Sequence, residues 1–102
     1  YTLHGDGELQ EGQIWEAFMY AAGKKVDNLI ATIDYNLKQI DGATDDVMPL
    51  GNLRDKFEAF GWKVLEVKKG NDLESVFYDG YTCLARKGSK CRAIRKRSCS
   101  KP

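Results

Sequence analysis

Short apolar runs alternate in this chain with stretches of helical period, and that alternation restricts it to few folds. "NLIATIDY", residues 28–35, is rich in Ile and Leu and bounded by polar residues, the pattern of a buried strand. Tyr1 to Leu3 and "WKVLEV", residues 62–67, read the same way. Between the first two, Glu11 to Ala22 carries Ile14, Trp15, Phe18, Met19 and Ala22 at three- and four-residue steps. That spacing predicts a helix with one apolar, core-facing side and a stop at Gly23. Asn52 caps a second helix, "LRDKFEAF", with Leu53, Phe57 and Phe60 on one face and Gly61 at its end. Asn71 or Asp72 caps a third, which begins "LESVF". The fifteen residues "NLKQIDGATDDVMPL" read as a loop, and loops of this length in a compact domain are usually functional or disordered. Strand and helix thus alternate three times, which predicts an α/β domain with a parallel sheet and ligands beyond its carboxyl edge. "GDG" and "DYN" both fall at such strand ends.

Size and charge narrow the function. The 102 residues make at most one domain, and the longest apolar run, "FMYAA", is far short of the roughly 20 residues a membrane helix needs. With no secretory pattern at the start, a cytoplasmic protein is expected, cut from a longer chain. The net charge of +1 hides a division at Gly80: residues 1–79 carry 8 basic and 15 acidic groups, residues 80–102 carry 8 basic and none acidic. Cys83, Cys91 and Cys99 also lie beyond that point. Their spacing lacks the paired CxxC of a zinc site, and one histidine is too few to complete it. His4 itself reads as structural.

The stretch "GDGELQEG" carries the chemistry. It matches neither GxxxxGK[ST] nor GxGxxG, and its acids would repel a bare phosphate. A metal ion reverses that sign, since magnesium is held by one or two carboxylates while substrate phosphates fill other positions. Asp6, between two glycines where backbone comes close to a ligand, suits this role, although an aspartate in such a turn is more often an Asx-turn residue than a ligand. Asn36, ending the next strand, can add an amide oxygen beside a loop carbonyl.

"GDGELQEGQIWEA", followed by the Asn of "DYNLKQIDG" with 28 residues between Gly7 and that Asn, resembles the thiamine diphosphate motif of transketolases. "VMPLGNLRDKFEAFGWKVLEV" is similar too, so the resemblance covers about residues 1–77. It implies a partial parallel-sheet, three-layer α/β domain of the thiamine diphosphate-binding type, incomplete at both ends. Residues 1–79 would be a fragment of the diphosphate and magnesium domain, and 80–102 a divergent basic, Cys-containing tail. The cofactors implied are thiamine diphosphate and Mg2+. Asp6, Asn36 and the backbone carbonyl of Lys38 would ligate the metal, and Gly7 and Asn36 would contact the cofactor. Glu11 would lie at a subunit interface near the group that activates the cofactor. The implied reaction moves a two-carbon ketol unit between sugar phosphates, in a dimer of the pentose phosphate pathway. A second subunit or chain would supply the pyrimidine-binding domain, and this chain alone would be inactive. Two departures stand out: Tyr35 precedes Asn36 where the motif has a second Asn, and Leu37-Lys38 replaces a Gly and an apolar residue.

The tail, "RKGSKCRAIRKRSCSKP", has basic residues and serines where the family enters an aliphatic strand, and reads as a divergent or frame-shifted end. A second reading makes the chain a non-catalytic α/β binding module whose tail contacts nucleic acid or an acidic partner. The lack of any aromatic stacking residue after Tyr81 argues against nucleic acid.

Overall fold

A computed structural model of the chain describes residues 1–67, 69–70 and 72–75 and the course of strand 92–97. Strand β1 is Thr2–Gly5, followed by a single 3-10 turn, Gly7–Gln10, and helix α1, Gly12–Gly23. Then come β2 (Ile30–Tyr35), the two-residue strands β3 (Lys38–Gln39) and β4 (Gly42–Ala43), and the one-turn helix α2 (Thr44–Val47). Helix α3 (Leu53–Ala59), β5 (Lys63–Val67) and β6 (Arg92–Arg97) complete the described elements. The main sheet has the order β1-β2-β6-β5, with every pairing parallel, as the alternation predicts.

The apolar pattern explains how the layers meet. On β2 the residues Ala31, Ile33 and Tyr35 are buried under α1 and α3, while Ile30, on the other face, packs with Leu65 and fully buried Val67. Phe18 of α1 meets Phe57 of α3 edge-on at 4.8 Å and Trp62 at 4.9 Å. Both indoles satisfy their N–H groups on backbone carbonyls, Trp15 on Leu9 at 2.6 Å and Trp62 on Phe18 at 2.9 Å. Buried tryptophan without such a partner would be costly. Met19, expected on the core side of α1, is instead 57% exposed. One helical step of about 100° past Phe18 carries it off the sheet, and Ala21 takes its place in the core.

Helix ends follow local chemistry. Asn52 caps α3 by accepting the Asp55 N–H, and Gly61 follows it with φ of 91°. Helix α1 ends at Gly23 as expected, but the left-handed residue that turns the chain is Lys25, at φ 55°. Glu11, expected inside α1, is its N-cap and makes no side-chain capping bond. The third helix begins where Asp72 accepts hydrogen bonds from the Ser75 N–H and hydroxyl; Asn71, Val76 and Phe77 lie outside the described residues.

Two findings depart from the sequence reading. The loop 36–50 is structured: β3 and β4 form an antiparallel hairpin and α2 follows at once. A fourth strand, β6, lies in the basic stretch and pairs Ile30↔Arg92 to Tyr35↔Arg97 on one side and Lys63↔Arg92 to Val67↔Lys96 on the other. Four basic residues in six hide a central strand from hydropathy patterning, whereas the open backbone edges of β2 and β5 require one.

Candidate functional site

β1 and β2 run side by side and end together, so Asp6 and Asn36 emerge at the same carboxyl edge. The ladder extends one step further, with the Asp6 N–H donating to the Asp34 carbonyl at 3.2 Å. Asp6 is 1% exposed. Its Oδ1 accepts the N–H of Gly7 at 2.9 Å, and its Oδ2 accepts the Leu37 N–H at 2.7 Å and the Thr44 hydroxyl at 3.0 Å. No lysine or arginine pairs with it among the described residues. Among the described residues Asp6 is thus a buried carboxylate with hydrogen bonds and no countercharge.

The glycine on each side of Asp6 has a different reason. A Cβ on Gly7 would come within 2.9 Å of Gln39 Cβ, so the first turn and the hairpin touch because Gly7 has no side chain. Gly5 has open space around it and donates its N–H to Glu8 Oε2 at 2.9 Å. Glu8, which the sequence left without a role, therefore braces the turn, with His4 Nδ1 3.8 Å from the same oxygen. His4 packs edge-on to Phe18 and hydrogen-bonds Thr2 at 3.0 Å, a structural role as expected.

Asp6, Gly7, Glu11, Asn36 and Lys38, the residues singled out in the sequence, all line one open cavity of about 560 Å³ at the sheet edge. Asn36 Oδ1 accepts the Lys38 N–H at 2.9 Å, an Asx-turn that leaves the amide oxygen a second lone pair. Leu37 takes φ of 65°, the left-handed region that favours glycine, so the leucine that departs from the family pattern here sits in a strained backbone conformation. Among the described residues no three of His, Cys, Asp and Glu cluster. Asp6, Asn36 and the Lys38 carbonyl offer one carboxylate, one amide oxygen and one backbone carbonyl, a hard oxygen set that fits Mg2+ rather than zinc. Glu11, exposed at the N-terminus of α1, lines the same cavity as the hairpin residues Gln39 and Ile40.

Sequence reasoning missed Thr44 and Gln10. Thr44 is fully buried, and Gln10 Nε2 donates to the carbonyls of Thr44 at 3.2 Å and Met48 at 2.8 Å. Both act across more than thirty residues, and only the family-like "LQEG" and "QIDG" segments hinted that their surroundings mattered.

Residues 1–88 match the family described as transketolase, thiamine diphosphate binding domain, a match that runs past the compositional break at Gly80. Over 76 residues, 74% of this chain, it is 54% identical to the 6-deoxy-6-sulfo-D-fructose transketolase subunit of Clostridium sp. (strain MSTE9) and 50% identical to an apulose-4-phosphate transketolase subunit of Phocaeicola vulgatus. It spans only 28% and 27% of those relatives' lengths. The crystal structure of Campylobacter jejuni transketolase superposes with a TM-score of 0.79 at 33% identity, covering 93% of this chain and 14% of that one. The parallel α/β sheet, the cavity at its carboxyl edge and these likenesses together show that the chain belongs to the transketolase family, within its thiamine diphosphate-binding domain.

Proposed function

We propose that this chain forms the diphosphate- and magnesium-binding part of a transketolase-like enzyme that transfers a two-carbon ketol unit between sugar phosphates. The observation that carries the proposal is Asp6: a buried carboxylate without a cationic partner among the described residues, beside Asn36, at the edge of a cavity of about 560 Å³. Asp6 Oδ1, the Asn36 amide oxygen and the Lys38 carbonyl would hold Mg2+, and Gly7 would let the diphosphate approach the backbone. When bound, thiamine diphosphate supplies the electron sink for carbon–carbon bond cleavage. The chain's own part is positional. The Asp6 bonds hold the metal ligand in one rotamer, and the hairpin closes one side of the site. Glu11, exposed on the rim, would face the second subunit or chain that brings the pyrimidine-binding domain, completing a dimeric cytoplasmic enzyme. Sulfonated and phosphorylated sugars, for which those two relatives are named, are candidate substrates.

Calorimetry with thiamine diphosphate and Mg2+ tests the reading: heat of binding is expected with the wild type and absent with Asp6→Ala. Equal heats in the two proteins would refute it. Because the chain spans 28% of the first of these relatives, ketol transfer is expected only when the rest of such an enzyme is supplied.

A further inference from the structure

Which oxygen of Asp6 a metal can use is decided by a residue more than thirty positions away. Three hydrogen bonds close a ring: Leu37 N–H to Asp6 Oδ2 at 2.7 Å, Thr44 N–H to the Leu37 carbonyl at 3.1 Å, and the Thr44 hydroxyl back to Asp6 Oδ2 at 3.0 Å. A carboxylate oxygen has about two lone-pair sites, so the two donors on Oδ2 fill it. Among the described residues Oδ1 holds only the N–H of its neighbour Gly7, and one site on it stays open. Thr44 has no exposed surface, and Gln10 clamps the carbonyls of Thr44 and Met48, so the ring cannot open without displacing α2. From this ring we infer that Thr44 is the positioning residue of the metal site: it saturates Oδ2, presents Oδ1, and locks the hairpin loop to the ligand. The inference rests on the metal-binding reading above and adds to it a residue that touches neither metal nor cofactor.

A ligand held in one orientation matters most to an ion with rigid demands. Mg2+ requires near-octahedral geometry, while Ca2+ accepts variable coordination, so loss of the Thr44 hydroxyl should weaken the two unequally. The test uses the full chain, with Mg2+ and Ca2+ affinities read by displacement of Mn2+ from its EPR signal and folding checked by circular dichroism. Thr44→Val is expected to weaken Mg2+ about 10-fold, the loss typical of an outer-shell partner, and Ca2+ by less than about 3-fold, with Thr44→Ser restoring both. Should Thr44→Val fail to fold, Thr44→Ala makes the same comparison. Unchanged Mg2+ affinity in the folded variant would overturn the inference, as would equal losses for both ions that Ser does not restore. Asp6→Asn separates the two ideas: if it binds Mg2+ as the wild type does, the metal-binding reading itself fails.

Discussion

Replacing Gly7 by alanine should damage the protein although alanine is the better helix former and the backbone there needs no positive φ. The added Cβ would sit 2.9 Å from Gln39 Cβ, whereas carbon atoms in ordinary contact are about 3.5–4.0 Å apart. The obstacle is the root of a side chain, not its flexible tip, so strand β3 must give by more than half an ångström. Overpacking of this kind costs about 1–3 kcal/mol. Alanine restricts the unfolded chain and offsets about 0.4–1 kcal/mol of that. Mid-range values leave a net loss of about 1.3 kcal/mol, which for a domain of this size lowers Tm by about 5–10 °C. Gly5→Ala is the control, because nothing lies within 4 Å of its Cβ position. It should keep only the unfolded-state gain and melt at or slightly above the wild type. Thermal unfolding of the three proteins by circular dichroism decides the matter. A Gly7→Ala protein as stable as Gly5→Ala would refute the contact between turn and hairpin, and with it the account of why the motif needs its second glycine.

Two further outcomes follow from single residues. Leu37, at φ 65°, carries left-handed strain of about 1–2 kcal/mol, and glycine would relieve it while losing about 0.5–1 kcal/mol of chain entropy. Leu37→Gly should therefore raise the urea midpoint by the equivalent of about 0.5–1 kcal/mol, and a lower midpoint would show that the conformation is not strained. The Ser75 hydroxyl and N–H, helped by Lys69, hold the Asp72 carboxyl below its ordinary 3.8. A depressed carboxyl stabilises above its unfolded pKa and loses that contribution as pH falls through the lower folded value, so the cap persists at neutral pH and fails only in acid. By NMR titration the Asp72 midpoint should lie below 3.8 and return toward it in Ser75→Ala.

The alternation of apolar strands with amphipathic helices determined the α/β class, because period 2 and period 3.6 are local properties that survive in a short window. Asp6 and Asn36 were equally legible as a pair, since each follows a recognisable strand and parallel strands end at one edge. Glu8 could not be understood in the same way, as its value lies in the Gly5 N–H that the turn brings within 2.9 Å. The loop after Asn36 looked structureless because the residues flanking its hairpin, Leu37, Thr44 and Met48, are held by Asp6 and Gln10 rather than by the loop's own pattern. Strand β6 was invisible for the opposite reason: its charged composition contradicts a central position that the edges of β2 and β5 impose. Local chemistry thus singled out Asp6 and the scaffold beneath it. Only the tertiary structure, by closing the ring of Asp6, Leu37 and Thr44, decided how the Asp6 carboxylate is aimed, because hydrogen bonds across thirty residues leave no mark on spacing.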